Sequence, residues 1–130
     1  MATIFFDRDI PDECYQKMKT FAAAGNDVTW VAFAPGGSNR WSVVTKSGEF
    51  FNRNIPDECH QKMLELSKAG AKIVHVAFPP QGGNSWNVVN DQGVFFDRNI
   101  PDECHQKIQD LSKGGAKIVC VAFPPQGGNS

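Results

Sequence analysis

Two dipeptides, Cys59-His60 and Cys104-His105, set a thiol beside an imidazole. Such a pair makes a nucleophile or part of a metal site when both side chains converge on one point. Convergence is not expected here, because neighbouring residues on a helix point about 100° apart. Cys59, Met63 and Leu66 follow apolar helical spacing, as do Cys104, Ile108, Leu111 and Cys14, Met18, Phe21, and the first copy has Tyr15 where the others have histidine. The three thiols therefore read as core, and no catalytic residue, metal ligand or cofactor is assigned. The fourth, Cys120, occupies a strand position held by Trp30 and His75 in the other copies, and that variation reads as packing in a tolerant pocket or surface. With no Cys-X-X-Cys pair, a disulfide framework is not expected and a reducing compartment fits.

The stronger candidates for a binding site are Arg8, Arg53 and Arg98, and the loop residues Asn39, Trp41, Asn84 and Trp86. Each arginine stands just before a helix start. A guanidinium there either binds a carboxylate or phosphate ligand or bridges to the next unit's helix acid, Asp12, Asp57 or Asp102 among the candidates; the internal bridge is the favoured reading. The loops 34–40, 79–85 and 124–130 are Gly-rich but carry no Gly-Lys-Ser/Thr and precede no helix, so they are not phosphate loops. Trp with Asn and Gln is the chemistry of shallow sugar or peptide sites, where rings stack and amides hydrogen-bond. The competing reading makes Trp41 and Trp86 core residues.

All of these residues recur because the chain is built on a repeat. Phe-Phe-Asx-Arg-Asx-Ile-Pro-Asp-Glu-Cys begins at Phe5, Phe50 and Phe95, 45 residues apart each time. Val-Ala-Phe recurs at Val31, Val76 and Val121 with the same period. The units run approximately 4–48, 49–93 and 94–130 in one repeat domain spanning 1–130. The third lacks the Trp-X-Val-Val segment of the others, which points to a truncated or engineered fragment of a longer array.

Each unit reads as helix, strand, strand, strand. Asp9, Asn54 and Asn99 serve as N-caps, with Asp12, Asp57 and Asp102 completing a capping box, proline in the first turn and Gly25, Gly70 and Gly115 as stops. Helices of about 14 residues follow. Lys72–Phe78 is mostly apolar on both faces and suits a central strand, Trp86–Asn90 alternates like a strand with one wetter face, and a turn at 90–93 leads into Val94–Arg98 as a hairpin. The expected fold is an α+β repeat with a curved or closed mixed sheet and its helices on one side. The alternative is a propeller-like ring of small sheets. Two edges, 3–6 and 117–123, are left without partners and are expected to meet within one chain or between chains as a homo-oligomer.

Val-Ala-Phe-X-Pro-X-Gly followed by Trp and a later turn glycine resembles the first strands of WD-type β-propeller blades over about 20 residues of each unit, with a capped helix in place of the fourth strand. That resemblance implies the ring of small sheets. The unit also resembles tandem repeats of uncharacterised bacterial proteins.

Composition narrows the partners. The net charge of −1 over 130 residues supplies no broad positive field for nucleic acid. No apolar run approaches the length of a membrane span and the start has no signal-peptide pattern, so a cytoplasmic location is expected. Repeated shallow sites suit multivalent binding. The sequence reading is thus a non-enzymatic scaffold for a protein or carbohydrate ligand, with a cysteine- or metal-dependent enzyme as the alternative.

Overall fold

A computed structural model describes residues 6–36 and 39–125. Its order is α1 (Asp12–Ala23), β1 (Val28–Phe33), β2 (Trp41–Thr45), β3 (Phe50–Arg53), α2 (Asp57–Lys68), β4 (Ile73–Ala77), β5 (Trp86–Asn90), β6 (Phe95–Arg98) and α3 (Asp102–Lys113). Among the described residues the chain is α+β, with three helices and two three-stranded antiparallel sheets, β1-β2-β3 and β4-β5-β6. No helix among the described residues is long and apolar enough to cross a membrane.

Each helix has 12 residues, and the N-cap is the proline, Pro11, Pro56 or Pro101, with no side-chain cap bond. The capping box is therefore not formed. Asp9, Asn54 and Asn99 lie two residues further out in the left-handed region, with φ of 57°, 56° and 53°. Asp and Asn tolerate that region better than other side chains. The acids at 12–13, 57–58 and 102–103 fill the first turn, where the helix dipole favours them. At the other end Gly25 N–H bonds Ala22 O and Asn26 N–H bonds Phe21 O, each at 3.0 Å, the two bonds of a Schellman stop. The same pair closes α2 and α3.

The second sheet reproduces the first at an offset of 45 residues: Val28 opposes Thr45 and Trp30 opposes Val44, while Ile73 opposes Asn90 and His75 opposes Val89. A register irregularity falls between Val28 and Trp30 and again between Ile73 and His75. The curved or closed mixed sheet expected from the sequence is not formed among the described residues: both sheets are wholly antiparallel, β3 and β4 do not pair, and neither sheet closes. The strands satisfy one another within each meander, so neighbouring sheets meet through side chains. One such contact is direct, the Trp30 indole Nε1–H donating to the Val76 carbonyl at 2.7 Å.

Burial follows this stacking. Trp41 and Val43 on one face of β2 pack with Cys14, Met18 and Phe21 of α1. Val44 on the opposite face joins Cys59 and Met63 of α2 and Ile73, Val76, Trp86 and Val88 of the second sheet in one core. Hence every residue of β2 and β5 is buried, and the wetter face expected for Trp86–Asn90 is absent because layers cover both of its sides. It also explains Lys72–Phe78, read as a central strand: β4 is an edge strand by hydrogen bonding. Ile73 and Val76 join the core shared with the first sheet and His75 reaches the 117–125 segment, while Val74 is exposed.

The corresponding Lys117–Phe123 segment carries no assigned strand, and Val119 is 64% exposed. Of the other expected edge, residues 3–5 lie outside the described residues and Phe6 is 95% exposed.

Candidate functional site

The left-handed Asx, the proline and the first helical turn place an acid at one end of each sheet, and the loop between the first two strands folds over it. In the first unit the Trp41 indole Nε1–H donates to Asn39 Oδ1 at 2.8 Å, and Asn39 Nδ2 donates to Glu13 Oε1 at 3.1 Å. Arg53 Nε donates to the same Glu13 Oε1 at 3.0 Å, and its Nη2 bonds Oε2. Asn54 Nδ2 anchors the loop by donating to Asn39 O at 3.0 Å. The second unit repeats the arrangement: Trp86 Nε1 to Asn84 Oδ1 at 2.9 Å, Asn84 Nδ2 to Glu58 Oε1 at 2.6 Å, Arg98 to Glu58 at 3.4 Å, and Asn99 Nδ2 to Asn84 O at 3.0 Å.

The structure thus gathers six of the seven sequence candidates into two equivalent clusters, Asn39, Trp41 and Arg53 around Glu13, and Asn84, Trp86 and Arg98 around Glu58. Arg8, the seventh, is exposed, and among the described residues no acid pairs with it. The bridging acid is the glutamate and not the aspartate beside it, and it belongs to the helix that opens the same meander, 40 residues before its arginine, rather than to the next unit's helix. Neither Glu13 nor Glu58 is among the residues that the sequence singles out. Their recurrence in step with Arg53 and Arg98 was the available signal. Both tryptophan rings are buried, and Trp41 stacks on Phe51 with centroids 5.6 Å apart. Their contribution to the surface is to orient the asparagine amides.

Two clefts open beside these clusters. One of about 520 Å³ is bordered by Arg40, Pro56, Glu58 and Asn84, and one of about 340 Å³ by Pro11, Phe33, Asn39 and Arg40. Pro11 and Asn39 are the 45-residue equivalents of Pro56 and Asn84. Arg40, which has no counterpart in the second unit, borders both clefts; its Nε donates to Asn54 O at 2.9 Å and its Nη1 to Pro35 O. At the opposite edge two clefts of about 360 and 350 Å³, related by the 45-residue period, lie beside Gly48 and Lys72 and beside Gly93 and Lys117.

The thiol–imidazole pairs are arranged differently. Burial pushes the Cys59 thiol up to about 12; burial and then the Asp7 charge push Cys14 up to about 11; burial and then the Asp97 charge raise Cys104. A thiol held protonated is a poor nucleophile. The histidines turn to the preceding strand: Asn52 Nδ2 donates to His60 Nδ1 at 3.0 Å, and His105 Nδ1 lies 2.9 Å from Asp97 Oδ1. Among the described residues no group of three or more His, Cys, Asp or Glu side chains is placed to hold a metal ion. In native protein at pH 8, a disulfide reagent is expected to modify exposed Cys120 promptly and Cys14 and Cys59 only after unfolding. Immediate reaction of all four cysteines would contradict this burial.

Compared with protein-family models, curated proteins and solved structures, the chain matches none.

Proposed function

We propose that the protein is a non-enzymatic recognition scaffold whose tandem units stack as small sheets, in the manner of propeller blades, and present equivalent clefts to a protein or carbohydrate ligand. The observation that carries this reading is the recurrence, at the helix N-terminal edge, of a cleft bordered by proline and by an asparagine whose amide is fixed between an indole and a glutamate. Fixed amides with a neighbouring guanidinium suit ligands rich in hydroxyl, amide or carboxylate groups. Two such clefts on one rigid edge suit repeated epitopes, because a tethered second contact adds avidity without new chemistry. The upward shift of the Cys14 and Cys59 thiols weighs against the alternative of a cysteine-dependent enzyme. The exposure of Val119 supports self-association through edges 3–6 and 117–123.

Glycan and peptide arrays, followed by calorimetric titration with light scattering on the same sample, test the proposal. Weak binding at two sites per chain is expected, lost in Arg40→Ala while the fold is retained. Absence of binding on both arrays, or binding that Arg40→Ala leaves untouched, would contradict the recognition reading. A strictly monomeric chain at high concentration would remove the self-association.

A further inference from the structure

Trp30, His75 and Cys120 occupy one position of the repeat, and the first two do the same mechanical task with different chemistry. Trp30 reaches 46 residues forward and donates its indole N–H to Val76 O at 2.7 Å, tying the first sheet to the second. His75 also reaches 46 residues forward: its Nε2 lies 2.6 Å from Val121 O and 3.0 Å from Val121 N, tying the second sheet to the 117–125 segment. An indole stays a neutral donor at every pH. An imidazole loses its acceptor nitrogen and gains a charge in acid.

We propose that His75 is an acid-released latch, which holds residues 117–125 on the second sheet when neutral and frees them when protonated, while the Trp30 junction stays closed. A neutral ring has a partner in either tautomer, because Nε2–H donates to Val121 O or bare Nε2 accepts the Val121 N–H. The cation keeps only the first of these, and it adds a buried positive charge while necessarily carrying an Nδ1–H with no partner, the side chain being 1% exposed. An unpaired charge and an unsatisfied donor in an apolar layer are among the most unfavourable local states.

The surroundings supply no compensation. From β1 the ring meets Trp30, with centroids 4.3 Å apart. From β5 it shares its face with Val89 and with Asn87, which is buried with both amide atoms unbonded and carries no charge. From the 117–125 segment it meets the Val121 backbone, next to the exposed thiol of Cys120. The Trp30 ring favours a cation, yet burial is the largest influence on His75 and lowers its pKa; the Val121 hydrogen bond opposes this more weakly, and no charged side chain contributes. The pKa in the closed state is thus below the 6.5 of a free histidine. The latch is at full strength above that value and weakens as pH falls below it, by about tenfold in the closing equilibrium per pH unit until the closed-state pKa is reached. Opening is local because the segment is thinly covered: Val119, Cys120 and Ala122 are exposed.

Amide hydrogen exchange of the whole chain between pH 8 and pH 5, corrected for intrinsic rates, reads the latch at the Val121 N–H. Protection at Val121 is expected to be constant above pH 6.5 and to drop about tenfold per pH unit below it, with the β4 amides unchanged. His75→Gln and His75→Trp, the latter placing the first unit's residue in the second, should make Val121 protection independent of pH. Flat wild-type protection, an equal acid loss in His75→Gln, or a His75 imidazole titrating at or above 6.5 by NMR would each overturn the proposal. The imidazole titration in the unmodified chain keeps the test decisive if either variant fails to fold.

Discussion

Replacing Trp41 with alanine is expected to lower unfolding stability by about 3–5 kcal/mol, the range for deleting a buried aromatic ring. Stability of a domain is commonly about 5–15 kcal/mol, so the loss should appear as a large drop in the urea midpoint. The ring is fully buried among Cys14, Met18, Phe21 and Val43, and it stacks on Phe51. Its removal opens a cavity between α1 and the first sheet and leaves Asn39 Oδ1 without its donor. Trp41→Phe refills part of the space and should cost much less. Urea unfolding of the two variants decides between a core tryptophan and a ligand platform. A loss below about 1 kcal/mol in Trp41→Ala would show that the ring is not packed as described.

Gly48→Ala is expected to cost about 2–4 kcal/mol, and Gly25→Ala only about 1 kcal/mol. Both glycines have positive φ, 89° and 79°, so alanine meets the same left-handed strain at each. They differ in what surrounds them. A Cβ at Gly25 meets nothing within 4 Å, whereas a Cβ at Gly48 would stand 2.9 Å from Lys72 Cβ and Cγ and 3.1 Å from Lys72 Cα. Lys72 can swing its amine away, but not its Cα or Cβ. Relief therefore requires the β2–β3 turn to withdraw from the α2–β4 junction, loosening the contact between the two layers. The difference between the two variants, measured as urea midpoints at constant slope, isolates the approach of one unit to the next. Equal losses would mean that the turn does not bear on Lys72.

Local features were legible because they depend on a few neighbouring residues. Helix stops at Gly25, Gly70 and Gly115 follow from the left-handed preference of glycine, and the Trp86–Asn90 strand follows from its alternation. Helix starts were misplaced by the same logic applied too simply. Asn54 looks like a cap, but Pro56 two residues later takes the cap position, and Asn54 instead spends its amide on the Asn39 carbonyl. The candidate site was half legible. Arg53, Asn39 and Trp41 were visible as a recurring set, while Glu13 was hidden because two adjacent acids, Asp12 and Glu13, fit the first turn equally well. Only the return of β3 alongside β2 shows which of them the guanidinium reaches.

The amino-acid order by itself determined the period, the helices with their apolar faces and the strands of the first two meanders, since these rest on spacing within one unit. Whether the strands would join into one sheet or stack as separate layers was decided only in three dimensions. Apolar residues on both faces of β4 are compatible with either outcome, and the choice turns on which groups satisfy the backbone: neighbours within the meander take the ladder bonds, leaving Trp30 and His75 to cross between layers. For the same reason the identity of the residue at that one position, indole or imidazole, sets how each junction responds to acid, something no spacing rule contains.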